Sequence, residues 1–333
     1  MGWCAILLAL LSLNVSARAD DVADFYREKT MRILVGVSPG GEYDVHARLI
    51  ARHIGRHIPG SPTVVVQNVP GAGGLVMVNQ LYNVAPKDGS TLGLVPNGLL
   101  AQQAAGLRNV QYDAGKLQWI GSISPMVQIF GVWRAIGVAK LDETKAKEVV
   151  VGTVGRGNAS YSFPMILKEF YGAKLKIVTG YRGGSDINLA MERGEVGARV
   201  TTLSSWKVTH PSWFVDGLVR ILAYAGPRPK DLANIPSLED VASTPEDRLV
   251  VRLLMSGAGL GRPLVAPPGM PTERVMAIHA AFLKTMTDPA FIRDASASNV
   301  EIDPVSRDDM QRIVGEALGT RAAVRERAVR LLE

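Results

Sequence analysis

Residues 33–58 read ILVGVSPGGEYDVHARLIARHIGRHI, an apolar run, a proline-glycine-glycine turn and an amphipathic segment in unbroken succession. Ile33 to Val37 has the β-branched, apolar character of a buried strand. Pro39, Gly40 and Gly41 punctuate it, and Asp44 can cap a helix in which Val45, Leu49, Ile54 and Ile58 form an apolar stripe. A strand, a glycine turn and a helix start together leave backbone N–H groups unpaired at the positive end of a helix dipole. Such a pocket suits a carboxylate.

The same pattern recurs along the chain. Strand-like runs fall at Thr63-Gln67, Thr91-Val95, Gln128-Trp133, Glu148-Thr153, Leu175-Thr179 and Arg220-Tyr224, with helical patterns between many of them, so the spacing predicts α/β layers. The run Val149-Val150-Val151 leads into Gly152-Thr153-Val154-Gly155-Arg156-Gly157-Asn158-Ala159-Ser160 and a helix with Pro164 in its first turn and Gly172 beyond its end. A third turn, Gly180-Tyr181-Arg182-Gly183-Gly184, precedes a helix capped by Ser185. Long amphipathic helices from Thr272 and from Ser306-x-x-Asp309 close the chain as helical cover.

The chain of 333 residues carries 47% apolar residues and a net charge of +6, enough for a large core and about two domains. Pro- and Gly-rich segments near Ser122-Pro125 and Gly257-Gly269 mark the crossings. The first lobe is expected at residues 20–126 plus 255–333 and the second at 127–254, with a cleft between them. One glycine loop then belongs to each lobe, and each is positioned to grip one end of a small anion.

Trp3 to Val15 is apolar but too short to cross a bilayer, and Ala17-Arg18-Ala19 resembles a cleavage site, so residues 1–19 read as a secretory signal peptide. No Lys or Arg precedes the apolar run, which leaves an N-terminal membrane anchor as the rival reading. The single cysteine, Cys4, excludes a disulfide framework and a Cys-based zinc centre. Dispersed basic residues with few aromatics among them argue against nucleic acid.

The ordered series Pro39-Gly40-Gly41-x-x-Asp44-x-x-Ala47-Arg48, Pro70-Gly71-Ala72-Gly73-Gly74, Asp88-Gly89-x-Thr91-Leu92, Gly180-Tyr181-Arg182-Gly183-Gly184, Ile235-Pro236-Ser237-Leu238-x-Asp240 and Ala266-Pro267-Pro268-Gly269-x-Pro271 resembles the periplasmic solute receptors of tripartite tricarboxylate transporters, the Bug-type receptors. The resemblance spans residues 30 to 300. It implies a two-lobed type II periplasmic-binding fold with an interdomain cleft and no catalysis. It further implies a small organic acid as ligand and the membrane permease subunits of a tripartite transporter as partners. Asp44 matches the acidic position of the family's first loop, and Thr153, Gly155, Gly157 and Asn158 match its carboxylate-binding loop. With Gly40, Gly41 and Ser160, and with Tyr181 and Asn97 lining the remainder, these are the expected ligand-binding residues of a periplasmic, monomeric receptor. Glu42 and Tyr43 depart from the family's small or hydroxylic residues. A second negative charge about 4 Å from an anion costs several kcal/mol near a surface, so Glu42 must pair with Arg156 or Arg182, turn away, or meet an amine or hydroxyl of the ligand.

Competing readings carry less. His46, His53 and His57 share one helical face, but they read as a solvated histidine stripe and no metal is expected. Gly155-x-Gly157-x-x-Ser160 lacks the third glycine of a dinucleotide fingerprint, so no cofactor is expected. Ser204-x-x-Lys207 has the S-x-x-K spacing of penicillin-recognising acylases without the companion motifs. A secreted α/β hydrolase remains the enzyme alternative, and a periplasmic sensor feeding a signalling partner would use the same cleft. Trp133 and Trp206 suit core packing and ligand stacking equally.

Overall fold

The computed structural model describes residues 21–332 apart from 41, 105, 107, 108 and 156–158. The segment expected as a leader, residues 1–19, and the loop residues Gly41, Arg156, Gly157 and Asn158 lie outside the described residues. The strands are β1 (Thr30–Val35), β2 (Thr63–Asn68), β3 (Thr91–Leu94), β4 (Gln118–Gly121), β5 (Gln128–Trp133), β6 (Val149–Gly152), β7 (Leu175–Val178), β8 (Ala198–Thr202), β9 (Val219–Ala225) and β10 (Leu264–Ala266). The chain forms two compact units. One comprises the residues up to Val95 with Gln111–Ile123 and Pro263–Arg307; the other comprises Pro96–Val110, Ser124–Arg262 and Asp308 onward.

The first unit holds a five-stranded sheet in the order β2-β1-β3-β10-β4. β1 runs parallel to β2 and β3, whereas β10 lies antiparallel between β3 and β4. Every residue of β3 and β10 is buried, the signature of central strands covered on both faces, while edge strand β2 alternates exposed and half-buried positions. The Glu42–Ile54 helix packs on β1 and β2 and buries Ala47, Leu49, Ile50 and Ile54. Each fully buried Leu or Ile of this kind contributes about 1.5–3 kcal/mol. Val45, expected in the apolar stripe, is 37% exposed, because Ala47 and Ile50 occupy the packed face instead. The helix stops at Ile54 before a 3-10 turn at Gly55–His57, so Ile58 reaches the core from beyond its end.

The second unit repeats the plan with the order β7-β6-β8-β5-β9. β6 runs parallel to β7 and β8, and β5 lies antiparallel between β8 and β9. Its core gathers Ile129, Ile187, Met191, Trp206, Trp213 and Tyr224. Trp206 is fully buried, with its ring 5.6 Å from that of Trp213, so it packs the core.

Four segments lie elsewhere than the lobe boundaries read from sequence. Residues 96–110, 124–126, 255–262 and 308–332 join the second unit. The Ala322–Leu332 helix buries Val324, Ala328 and Leu331 against the Pro245–Met255 and Ala159–Ile166 helices, and Arg327 pairs with Asp247. An amphipathic stripe states that a helix will be covered; it does not say which α/β layer covers it. β4, β8 and β10 were also not foreseen. They are three to five residues long, and Arg199 interrupts the apolar run of β8.

Candidate functional site

In the first unit the turn after β1 is tied down by one carboxylate. Asp44, only 2% exposed, accepts hydrogen bonds from Gly40 N and Arg48 Nε on Oδ2, and from Asn68 Nδ2 on Oδ1, all at 2.9 Å. Asn68, the last residue of β2, also donates to Val37 O at 2.9 Å, which binds the start of the turn to the same hub. Burial pushes the Asp44 carboxyl upward, but the bonds from Arg48, Gly40 and Asn68 and the Arg48 charge more than offset it and hold it below the ordinary carboxylate range. Gly40 N–H and the Asp44 carboxylate, both expected to face a ligand, are therefore committed to each other. Asn68 did not figure in the sequence reading. Its one signal was a polar residue closing a β-branched strand immediately before the Pro70-Gly74 turn.

The second unit brings Thr153, Gly155, Ser160 and Tyr181, the described members of its expected set on this loop, together at the ends of β6 and β7. Thr153 N donates to Val178 O at 2.8 Å, and Tyr181 N donates to Thr153 O at 3.4 Å. Val154 N donates to Ser160 Oγ at 3.4 Å, so the first turn of the Ala159–Ile166 helix reaches back to the loop. Gly155, at φ +151°, takes a backbone conformation that side-chain-bearing residues rarely adopt. Thr153 is fully buried, and its Oγ1 has no hydrogen-bond partner among the described residues. Tyr181 is half-buried; burial, then the Glu195 charge, raises its hydroxyl above the usual range.

Asn97 borders a cavity of about 20 Å³ together with Gln102, Gln128, Ala159 and Ser162, all within this unit. That is room for one water molecule with several polar neighbours. The first turn of the Ala159–Ile166 helix thus serves both the Thr153 loop and the Asn97 cavity. Gln128 and Ser162 escaped notice because each sits in an apolar run that reads as core.

The remaining motifs find other partners. His53 Nε2 meets Asp294 Oδ2 at 2.8 Å and His57 Nε2 meets Asp288 Oδ2 at 2.9 Å, tying this end of the Glu42–Ile54 segment to the Pro289–Ala297 helix and its N-cap Asp288. Among the described residues no group of three or more His, Cys, Asp or Glu is placed to hold a metal. Ser204 Oγ donates to Thr202 Oγ1 at 3.2 Å, whereas Lys207 Nζ donates to Asp231 at 2.9 Å. Arg182, in the turn before the Gly184–Glu192 helix, reaches Asp186 in its first turn at 3.9 Å. No described helix is long and apolar enough to cross a membrane.

The two histidine-carboxylate contacts carry a pH expectation. The Asp288 carboxyl is lowered by its bond from Ala290 N and by His57, and that of Asp294 by its bond from His53 and by the charges of His53 and Arg52. Groups depressed on folding stabilise above their unfolded pKa and lose that contribution as pH falls through the folded value. Amide protection of the Pro289–Ala297 helix should therefore hold from neutral pH to about 5 and decline below about 4. Hydrogen exchange read against pH checks this, and protection flat down to pH 3 would refute it.

The model of the family described as "Tripartite tricarboxylate transporter family receptor" matches residues 47–328. A relative from Cupriavidus necator, the UPF0065 protein in gbd 5'region, is 25% identical over 314 residues, covering 89% of this chain and 86% of its own. The solved structure of the periplasmic binding protein BugD is similar at a TM-score of 0.69 and 18% identity, covering 92% of this chain and 99% of its own. R. palustris Rpa4515, solved with adipate, is similar at a TM-score of 0.66 and 20% identity, over 87% and 94% of the two chains. At these identities the likeness is one of fold, that of two-lobed α/β solute-binding proteins.

Proposed function

Because the chain belongs to the tripartite tricarboxylate transporter receptor family, we propose that it captures a small organic carboxylate in the periplasm and hands it to membrane permease subunits. A leader at residues 1–19 would export it. A receptor of this kind binds its ligand stoichiometrically and returns it unchanged.

The observation that carries the reading is Thr153. A buried hydroxyl without a partner costs about 1–3 kcal/mol, and a carboxylate oxygen would relieve that cost. It lies where β6 gives way to a glycine loop and a helix N-terminus, whose N–H groups favour an anion. In this assignment Thr153, Gly155, Gly157, Asn158 and Ser160 hold one carboxylate, with Tyr181 and Asn97 beside it. In the first unit's turn Gly40 N is already bound to Asp44. Asp44 acts as a positioning residue, since its oxygens are spent on shaping that turn. Adipate, the ligand of Rpa4515, is the first probe to try.

Thr153→Val keeps the shape of the side chain and removes the hydroxyl. The ligand-free variant should be more stable by about 1 kcal/mol while adipate affinity falls about tenfold. Denaturant titration and calorimetry read the two effects separately. A variant that loses stability and binds adipate as before would place Thr153 in the core and not in the site.

A further inference from the structure

β8 carries an arginine into the interior. Arg199 is 7% exposed, and the groups it meets are neutral. Its Nη1 donates to Gly184 O and, at 2.6 Å, to Asn188 Oδ1, while its guanidinium carbon lies 5.9 Å from the Trp206 ring. Trp206 Nε1 donates to the same Asn188 oxygen at 3.1 Å, so the arginine is held in a fully built setting. Among the described residues no carboxylate pairs with it. Burial alone draws its pKa down to about 10, which leaves it charged at neutral pH. Its nearest helix terminus worsens matters. Gly184 opens the Gly184–Glu192 helix, and a cation beside a helix N-terminus faces the positive end of the dipole. Asp186 in that first turn is itself occupied with Arg182.

Such a charge is expensive unless an anion compensates it. The register shows where that anion belongs. Arg199 pairs side by side with Gly152 across β8 and β6, and Thr153 follows Gly152 directly. The turn gripped through Gly184 O also carries Tyr181, whose N–H donates to Thr153 O.

We propose that Arg199 is the fixed counter-charge for the anion on the Thr153 loop, a positioning residue that selects ligands by charge without touching them. This rests on the reading that the loop binds a carboxylate. Adjacent strands lie about 4.8 Å apart, so a ligand there falls on the order of 10 Å from the guanidinium. At an effective dielectric near 20, a unit charge at that distance changes affinity on the order of tenfold.

Asn188→Asp is the sharpest test, because it keeps both acceptor contacts and places a negative charge beside the arginine. Adipate affinity should fall about tenfold by calorimetry, with ligand-free stability maintained or raised, and monomethyl adipate should lose less than the dianion. Arg199→Gln should weaken adipate similarly, and Arg199→Lys should restore most of it. Asn188→Asp that binds adipate like the parent, or Lys and Gln variants that fail alike, overturns the proposal. If the parent protein itself binds neither acid, the failure belongs to the carboxylate reading and not to Arg199.

Discussion

Asp44→Ala is expected to lower the unfolding free energy by about 3 kcal/mol and to weaken adipate binding at least tenfold. The carboxylate takes three hydrogen bonds, from Gly40 N, Arg48 Nε and Asn68 Nδ2, while itself nearly excluded from water. Hydrogen bonds to a charged group are worth about 1.5–3 kcal/mol each, and some of that returns because Arg48, 47% exposed, regains solvent. Gly40 is exposed and Asn68 half-buried, so water makes up part of their loss too, but without the shared acceptor the turn they define should loosen. Since folding depresses the Asp44 pKa, its contribution is present above the unfolded value of about 3.8 and disappears as pH falls through the folded one. The gap between parent and variant in urea melts should accordingly be widest near neutral pH and close toward pH 3. Equal stability at pH 7 would show that the hub does not hold the turn.

Gly257→Ala should destabilise by about 2–3 kcal/mol and lower adipate affinity, the reverse of the usual result for such a change in a helix. Gly257 opens the short Gly257–Leu260 helix at an ordinary helical backbone angle, where alanine normally adds about 0.4–1 kcal/mol. Here a Cβ would stand 2.0 Å from Asn97 O and 2.6 Å from its carbonyl carbon. Neither side can retreat freely, because Met126 N donates to Ala258 O at 2.8 Å. The strain falls on the backbone that presents Asn97 to its cavity. Thermal unfolding and adipate calorimetry on the one variant check both halves, and a raised melting temperature would show that the approach is looser than the distances say.

Seven of the strands were legible from β-branched and apolar runs between glycine and proline punctuation, central strands because burial on both faces demands apolar residues and edge strand β2 through its β-branched residues alone. The glycine loops were legible for a related reason. A chain that turns from a strand into a helix within three or four residues needs backbone angles that glycine supplies. Asn68 and Arg199 were not legible. The first acts on Asp44 from 24 positions away, and the second is an arginine buried in a strand, against the usual habit of its residue type.

By itself, then, the order of residues determined the layered α/β architecture, the location of both glycine loops and the family, since each rests on local backbone preference or on motifs contiguous in the chain. Tertiary structure alone decided which groups those loops leave free. It turned the Gly40 amide and the Asp44 carboxylate toward each other, left the Thr153 hydroxyl without a described partner, and carried the last helix into the second unit. The physical reason is that a polar atom's commitments depend on neighbours brought from distant parts of the chain, and a periodic pattern records burial without recording against what.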